Sequence, residues 1–216
     1  WSGTGSAGKI GHNLGAPPEF LVIKQTTAHG TSGVGDGNWI VGHTAGLGAG
    51  SGRLIFNGTH NWDSGSEAAI HWNSTAPTNE LFGLGTSGNV NGSGGTYIGY
   101  IWRSVAGYSK AGIWDGDSLA DGPYVHCGFR PKYILWKPIS NGSDWVCYDD
   151  GRDPGKNALS LYLLTNSNNA EGDVVGLDFL SNGFKLRTNT THNNTSGTKV
   201  MFMAFAETPF KYSRAR

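Results

Sequence analysis

The chain has 216 residues with 16 basic and 16 acidic side chains, a formal balance of zero, and it shows neither the basic excess nor the basic stripe of a nucleic-acid binder. Gly (35), Ser (19), Thr (17) and Asn (17) make up 88 residues and Glu only 5, which excludes a helical bundle, while eight Trp, eight Tyr and nine Phe exclude a disordered chain. No stretch is long and apolar enough for a membrane-spanning helix.

In chain order, Phe20–Lys24 is a continuous apolar run of strand length behind Pro18. Asn38–Val41 and Arg53–Phe56 read as short strands flanked by glycine. Gly65–Trp72 is expected to form one or two helical turns. Glu80–Leu84 alternates, and Thr96–Trp102 is a longer β-rich run. The second half offers Tyr133–Lys137, Trp145–Tyr148, Leu159–Thr165, Gly183–Leu186 and Lys199–Ala206. No helical pattern separates the strands, so a parallel α/β fold is disfavoured.

The halves repeat. Trp1-Ser2-Gly3 matches Trp114-Asp115-Gly116, an offset of 113. At the same offset Gly15-Ala16-Pro17-Pro18-Glu19-Phe20-Leu21-Val22-Ile23-Lys24 runs beside Gly128-Phe129-Arg130-Pro131-Lys132-Tyr133-Ile134-Leu135-Trp136-Lys137. Asn38–Val41 then pairs with Asp144–Cys147 at offset 106, Leu54–Asn57 with Leu163–Asn166 at 109, and Phe82–Leu84 with Phe184–Leu186 at 102. The expected fold is therefore all-β: two tandem copies of an antiparallel β-sandwich-like unit, 1–113 and 114–216, in a pseudo-twofold relation. The first copy carries longer loops at 25–38 and 58–80.

Catalytic and cofactor motifs do not gain support. Gly3–Gly8 and Gly83–Gly88 fit G-x-G-x-x-G, but neither is expected to open a helix inside a strand–helix–strand unit. Gly116-Asp117-Ser118-Leu119 spells the signature of the GDSL hydrolases, yet no Asp stands three residues before any histidine, so it reads as a turn. The sets Asp115/Asp117/Asp121 and Asp149/Asp150/Asp153 suit calcium-binding loops and, equally, ordinary turns. Cys127 and Cys147 are the only cysteines and read as buried thiols ahead of a disulfide. No cofactor, metal site or catalytic residue is assigned.

Insertions in one copy of a duplication mark loops released from packing. Those of the first copy hold His29, Asp36, His60, Trp62, Asp63 and Trp72. His60, Trp62, Asp63 and Trp72 form the candidate binding set: a Trp beside Asn61 and Asp63 suits a sugar face or a protein anchor. The competing reading is that Trp62 and Trp72 fold back onto the core. Trp39 and Trp145 recur in both copies and are expected in the core.

The G-x-x-P-x-[FY]-aliphatic-aliphatic-x-Lys segment, Asn91-Gly92-Ser93-Gly94-Gly95-Thr96-Tyr97 and the ending Ala204-Phe205-Ala206-Glu207-Thr208-Pro209-Phe210-Lys211-Tyr212 carry a family resemblance. Together they resemble an uncharacterised repeat domain of bacteriophage tail-fibre and other virion structural proteins. The resemblance implies a virion location, the tail ahead of the head, and further chain before Trp1. It also implies partners among other virion proteins and copies of itself, a trimer being common in fibres, with host-surface glycan a further partner. It supplies no catalytic residues. A capsid decoration or head-fibre protein is the first alternative and a carbohydrate-active depolymerase the second.

Overall fold

The computed structural model describes residues 1–27, 37–45 and 50–208, so His29 and Asp36 of the first insertion and the closing Pro209–Tyr212 motif lie outside the described residues. The chain divides into two compact units, Trp1–Arg103 and Ser104 onward.

The first unit runs β1 (Gly8–Gly11), β2 (Phe20–Thr27), β3 (Trp39–His43), β4 (Gly52–Ile55), β5 (Asp63–Ser64), α1 (Ser66–Trp72), β6 (Leu81–Leu84), α2 (Gly88–Asn91) and β7 (Thr96–Trp102). Five strands form a sheet in the order β5-β4-β3-β2-β7, and β1 pairs with β6 apart from it. Leu21 and Ile23 of β2 point into a core with Ile40, Trp72, Phe82, Leu84, Val90 and Tyr97. Phe20 and Val22 on the opposite face are buried too, which is why β2 reads as a continuous apolar run without alternation.

The second unit runs β8 (Ser109–Asp115), β9 (Tyr124–His126), β10 (Pro131–Pro138), β11 (Val146–Asp149), β12 (Leu159–Leu164), β13 (Gly172–Leu180), β14 (Gly183–Leu186) and β15 (Lys199–Ala206). All eight strands join one antiparallel sheet, β8-β15-β10-β11-β12-β13-β14-β9, which curls into a nearly closed, barrel-like form instead of the two facing sheets of a sandwich. Its inner face carries Trp114, Phe129, Ile134, Trp136, Tyr148, Leu159, Leu177, Phe184 and Phe202.

The ladders of the two units share their register. Val22 lies opposite Val41 as Leu135 lies opposite Cys147, and Ile23 opposite Ile40 as Trp136 opposite Val146. Val41 faces Leu54 as Cys147 faces Leu163, and Phe20 faces Trp102 as Tyr133 faces Phe205. Side-chain bonds match as well. The Trp39 N–H donates to Asn57 Oδ1 at 2.9 Å and the Trp145 N–H to Asn166 Oδ1 at 2.8 Å. The Trp1 indole donates to Val90 O at 3.1 Å and the Trp114 indole to Asn193 O at 2.9 Å.

The units differ between the fourth strand of this ladder and the next hairpin. The first unit places β5 and α1 there, in a segment with Glu67, Ala68 and Ala69, good helix formers, ended by Asn73 in the left-handed region at φ 54°. The second unit places β13 there, rich in Val, Leu and Phe, and this strand bridges β12 to β14 and completes the curl. The sequence repeat sets its junction at 113/114, whereas the compact units divide after Arg103. The reason is β8, which spans the repeat junction and pairs along its length with β15.

Both cysteines are free and buried, and burial pushes the Cys127 thiol up to about 12. The aspartates proposed as calcium loops are engaged by cations and N–H groups. Asp115 pairs with Lys199, Asp121 with Arg187 and Lys185, Asp149 with Arg152, Asp150 with Arg130 and Lys132, and Asp153 with Lys156. Asp117 Oδ1 accepts from the Leu119 N–H and from Asn194 Nδ2. Among the described residues no three His, Cys, Asp or Glu side chains converge as a metal site.

Candidate functional site

The four residues singled out in the first unit do not form one surface. Trp72 closes α1 and is 4% exposed, a correction to its place in the binding set. Its indole N–H donates to Gly52 O at 2.8 Å, and its ring lies so close to Gly42 that a Cβ there would stand 2.9 Å from Cζ2. Trp62 is half-buried, with its ring laid over Gly52 from the other side, where a Cβ would meet Cε2 at 2.7 Å. Glycine at 52 is thus required by the Trp62 ring and by Asp63 O, which a Cβ would meet at 2.4 Å, whereas Trp72 uses only the backbone carbonyl of this residue. Asp63 is exposed and lies 3.5 Å from Arg53, whose Nε donates to Glu67 at 2.7 Å. His60 is exposed against Gly58.

A Ser–His–Glu constellation stands beside them. Ser87 Oγ is 3.2 Å from His71 Nε2, and His71 Nδ1 is 3.3 Å from Glu67 Oε2, one helical turn away on α1. The order is that of nucleophile, base and acid, but each member holds a structural post. Ser87 caps α2, with Oγ accepting from the Asn89 N–H, while its own N–H donates to Ile70 O and is closed to a developing oxyanion. Glu67 is held by Arg53. Burial lowers the His71 pKa, outweighing the pull of the Glu67 carbonyl and carboxylate toward the charged form. Ser118 of the GDSL-like turn likewise accepts the Ser196 N–H through Oγ.

Gly83–Gly88 runs from the end of β6 at Leu84 to the start of α2 at Gly88. The helix has only 4 residues, and β6 pairs antiparallel with β1, so no parallel strand–helix–strand unit exists around it. Two of these glycines serve packing. A Cβ on Gly83 would stand 2.4 Å from Trp72 O and one on Gly85 would stand 2.2 Å from Ile70 O, so both admit α1 closely.

A roomier cavity lies in the second unit, on the inner face of its sheet. Trp136 of β10 sits diagonal to Tyr148 of β11, which lies directly opposite Tyr162 of β12, so register alone puts three rings in a row on one face. Trp136 and Tyr148 stack with centroids 5.0 Å apart and planes 21° apart; Tyr148 and Tyr162 follow at 5.6 Å and 31°. Two glycines of β13 let these rings lie flat. A Cβ on Gly172 would stand 2.2 Å from Tyr162, and one on Gly176 would stand 2.4 Å from the Tyr148 hydroxyl. With Val146, Val174, Thr188, Thr190, His192 and Asn193 the rings enclose about 120 Å³.

The polar side of this cavity is fixed. Trp136 Nε1 donates to His192 O at 2.8 Å, Ser143 Oγ and His192 Nδ1 are 2.9 Å apart, and Thr190 Oγ1 donates to Asn193 Oδ1 at 3.1 Å. Tyr148 Oη donates to Val174 O at 3.1 Å, and burial pushes this phenol's pKa well up. By contrast Tyr162 Oη, Thr188 Oγ1 and His192 Nε2 make no hydrogen bond among the described residues. The corresponding place in the first unit is filled. At the position matching Tyr148 it has Gly42, and the Trp72 ring packs there, leaving about 10 Å³.

The sequence contained a signal for this cavity. At the offsets of the repeat, Trp136, Tyr148 and Tyr162 stand where the first copy has Ile23, Gly42 and Arg53. Three aromatics on one face of the second half, absent from the matching positions of the first, point to that face.

Comparison with known proteins places the chain. It belongs to DUF7483, a family of domains of unknown function. The match covers residues 1–209, so the DUF7483 domain spans both compact units. No curated protein and no solved structure matches the chain.

Proposed function

We propose that this DUF7483 chain is a non-enzymatic structural module of a bacteriophage particle, part of a tail fibre or tail tip, which contacts the host surface or neighbouring subunits. The reading takes the chain as two descendants of one β unit of about a hundred residues. The observation that carries it is the recurrence of one ladder in both units, down to the tryptophan N–H held by Asn57 in one and by Asn166 in the other. Such a ladder, with buried residues on both faces, makes a stiff support for presented loops. The reading also draws on the neutral, turn-rich composition and on the resemblance of the motifs set out above to those of virion repeat domains.

Gold-labelled antibody against the chain, applied to intact particles, tests this. Label at a fixed place on the tail is expected. Label confined to the head would transfer the reading to a decoration or head-fibre protein. Chain recovered from infected cells but never from purified particles would overturn a virion role altogether.

A further inference from the structure

We infer that the cavity of the second unit is a binding site for one uncharged sugar ring, held against Tyr162 and hydrogen-bonded by Tyr162, Thr188 and His192. The inference gives a ligand class to the host contact proposed above and rests on that reading only for where the sugar comes from.

Three features select this occupant. The first is the wall. Trp136 stacks on Tyr148, and Tyr162 adjoins Tyr148 at a tilt of 31° as the outermost, half-buried ring of the row. The negative face of an aromatic ring attracts the slightly positive axial C–H groups on one side of a pyranose, and a flat ring wall favours that flat partner. The second is the rim. Tyr162 Oη, Thr188 Oγ1 and His192 Nε2 have no hydrogen-bond partner among the described residues, while neighbouring polar atoms of the same rim are bonded to one another. Unused donors and acceptors open at the rim suit the hydroxyls of a sugar, and a purely apolar occupant would strip them of water with nothing in return.

The third is charge and size. Among the described residues no carboxylate, ammonium or guanidinium lines the cavity, so a charged sugar would lose hydration there with no such partner in return. At about 120 Å³, somewhat under the ~150 Å³ that admits a benzene ring, the space receives part of one terminal sugar ring, leaves the rest in solvent and has no room for a chain. The preferred ligand is therefore the terminal residue of a neutral glycan. The first unit cannot share the role, because Trp72 occupies the corresponding space over Gly42.

The test is saturation-transfer NMR on the full chain with the methyl glycosides of glucose, galactose and mannose. Methyl glucuronide and indole serve as charged and apolar comparisons. At least one neutral glycoside should bind, and Tyr162→Ala should weaken it tenfold or more. Tyr162→Phe and Thr188→Ala should each weaken it by a few-fold, while Trp62→Ala leaves it unchanged. Tyr162→Phe and Thr188→Ala alter no core packing and keep the test informative if Tyr162→Ala fails to fold. Preference for the glucuronide or for indole would overturn the inference, as would binding indifferent to Tyr162 and Thr188. Sugar binding by a chain absent from particles would remove the virion role and keep the site; particle-bound chain that ignores all three glycosides would remove the site and keep the role.

Discussion

Lys137 offers a sharp test of how the second unit is packed. It lies on β10, fully buried, with Nζ donating to Pro138 O at 2.9 Å. Burial lowers its pKa from 10.5 to about 8, partly opposed by the charge of Asp144. That drop is worth about 3 kcal/mol of penalty for keeping the ammonium in the fold at pH 7. The matching Lys24 is only half-buried and lies 5.6 Å from the centre of the Trp39 ring. Lys137→Met keeps the volume and removes the charge, and is expected to raise stability at pH 7 by up to about 3 kcal/mol, less about 1 kcal/mol for the lost hydrogen bond. The gain must also depend on pH. Between pH 8 and 10.5 the unfolded chain holds the Lys137 proton and the folded chain has released it, so wild-type stability rises with pH and the gap closes. From pH 7 to 9.5 it should narrow by about 2 kcal/mol. Buried Cys127 and Cys147, with raised pKa values, lower stability above pH 9 in both proteins and cancel in the difference. Urea unfolding followed by tryptophan fluorescence at several pH values measures it. A gap that stays constant with pH, or a wild type more stable at pH 7, would refute the reasoning.

Other substitutions separate the remaining roles. Trp72→Ala should cost about 3–5 kcal/mol in a urea melt, whereas half-buried Trp62→Ala should cost clearly less, and equal losses would contradict their placement. Asp153→Ala should cost about 3 kcal/mol, because a buried carboxylate that accepts the Ser160 N–H at 2.6 Å and the Leu161 N–H at 2.7 Å would leave both donors unpaired. Burial alone would raise the Asp153 pKa, but Leu161, Lys156 and Ser160 outweigh it and hold it below 3.8; wild-type stability should therefore fall as pH drops under about 4, and the variant should lose that slope. His71 is kept neutral by burial, so its contribution is present above pH 6.5 and is lost on acidification below it; His71→Asn should flatten thermal stability between pH 6.5 and 5.

Much of the strand order is written plainly in the chain. Phe20–Lys24, Thr96–Trp102, Gly183–Leu186 and Lys199–Ala206 coincide with or fall within strands, and Gly65–Trp72 holds the short helix α1. β13 escaped because Gly172 and Gly176 interrupt its apolar pattern. Those glycines are explained by Tyr162 and Tyr148 on neighbouring strands, which no local pattern reveals. β8 was hidden by the repeat itself, since Trp114 begins the second copy in sequence yet lies inside a strand. Trp72 entered the binding set because it ends a segment inserted in the first half, and the glycine that makes room for its burial, Gly42, is remote in sequence. The cavity required comparing the two halves position by position, as its wall is built from the side chains of Trp136, Tyr148 and Tyr162, which the matching positions of the first half lack, while the backbone ladder is the same.

Adsorption competition tests most directly whether this chain meets the host surface. Host cells are incubated with purified full chain, then challenged with the particles that carry it, and free particles are counted over time. Slower adsorption is expected as chain concentration rises, with Tyr162→Ala competing much less well. Adsorption unchanged while the chain saturates the cells, or slowed equally by wild type and Tyr162→Ala, would contradict attachment through the second unit.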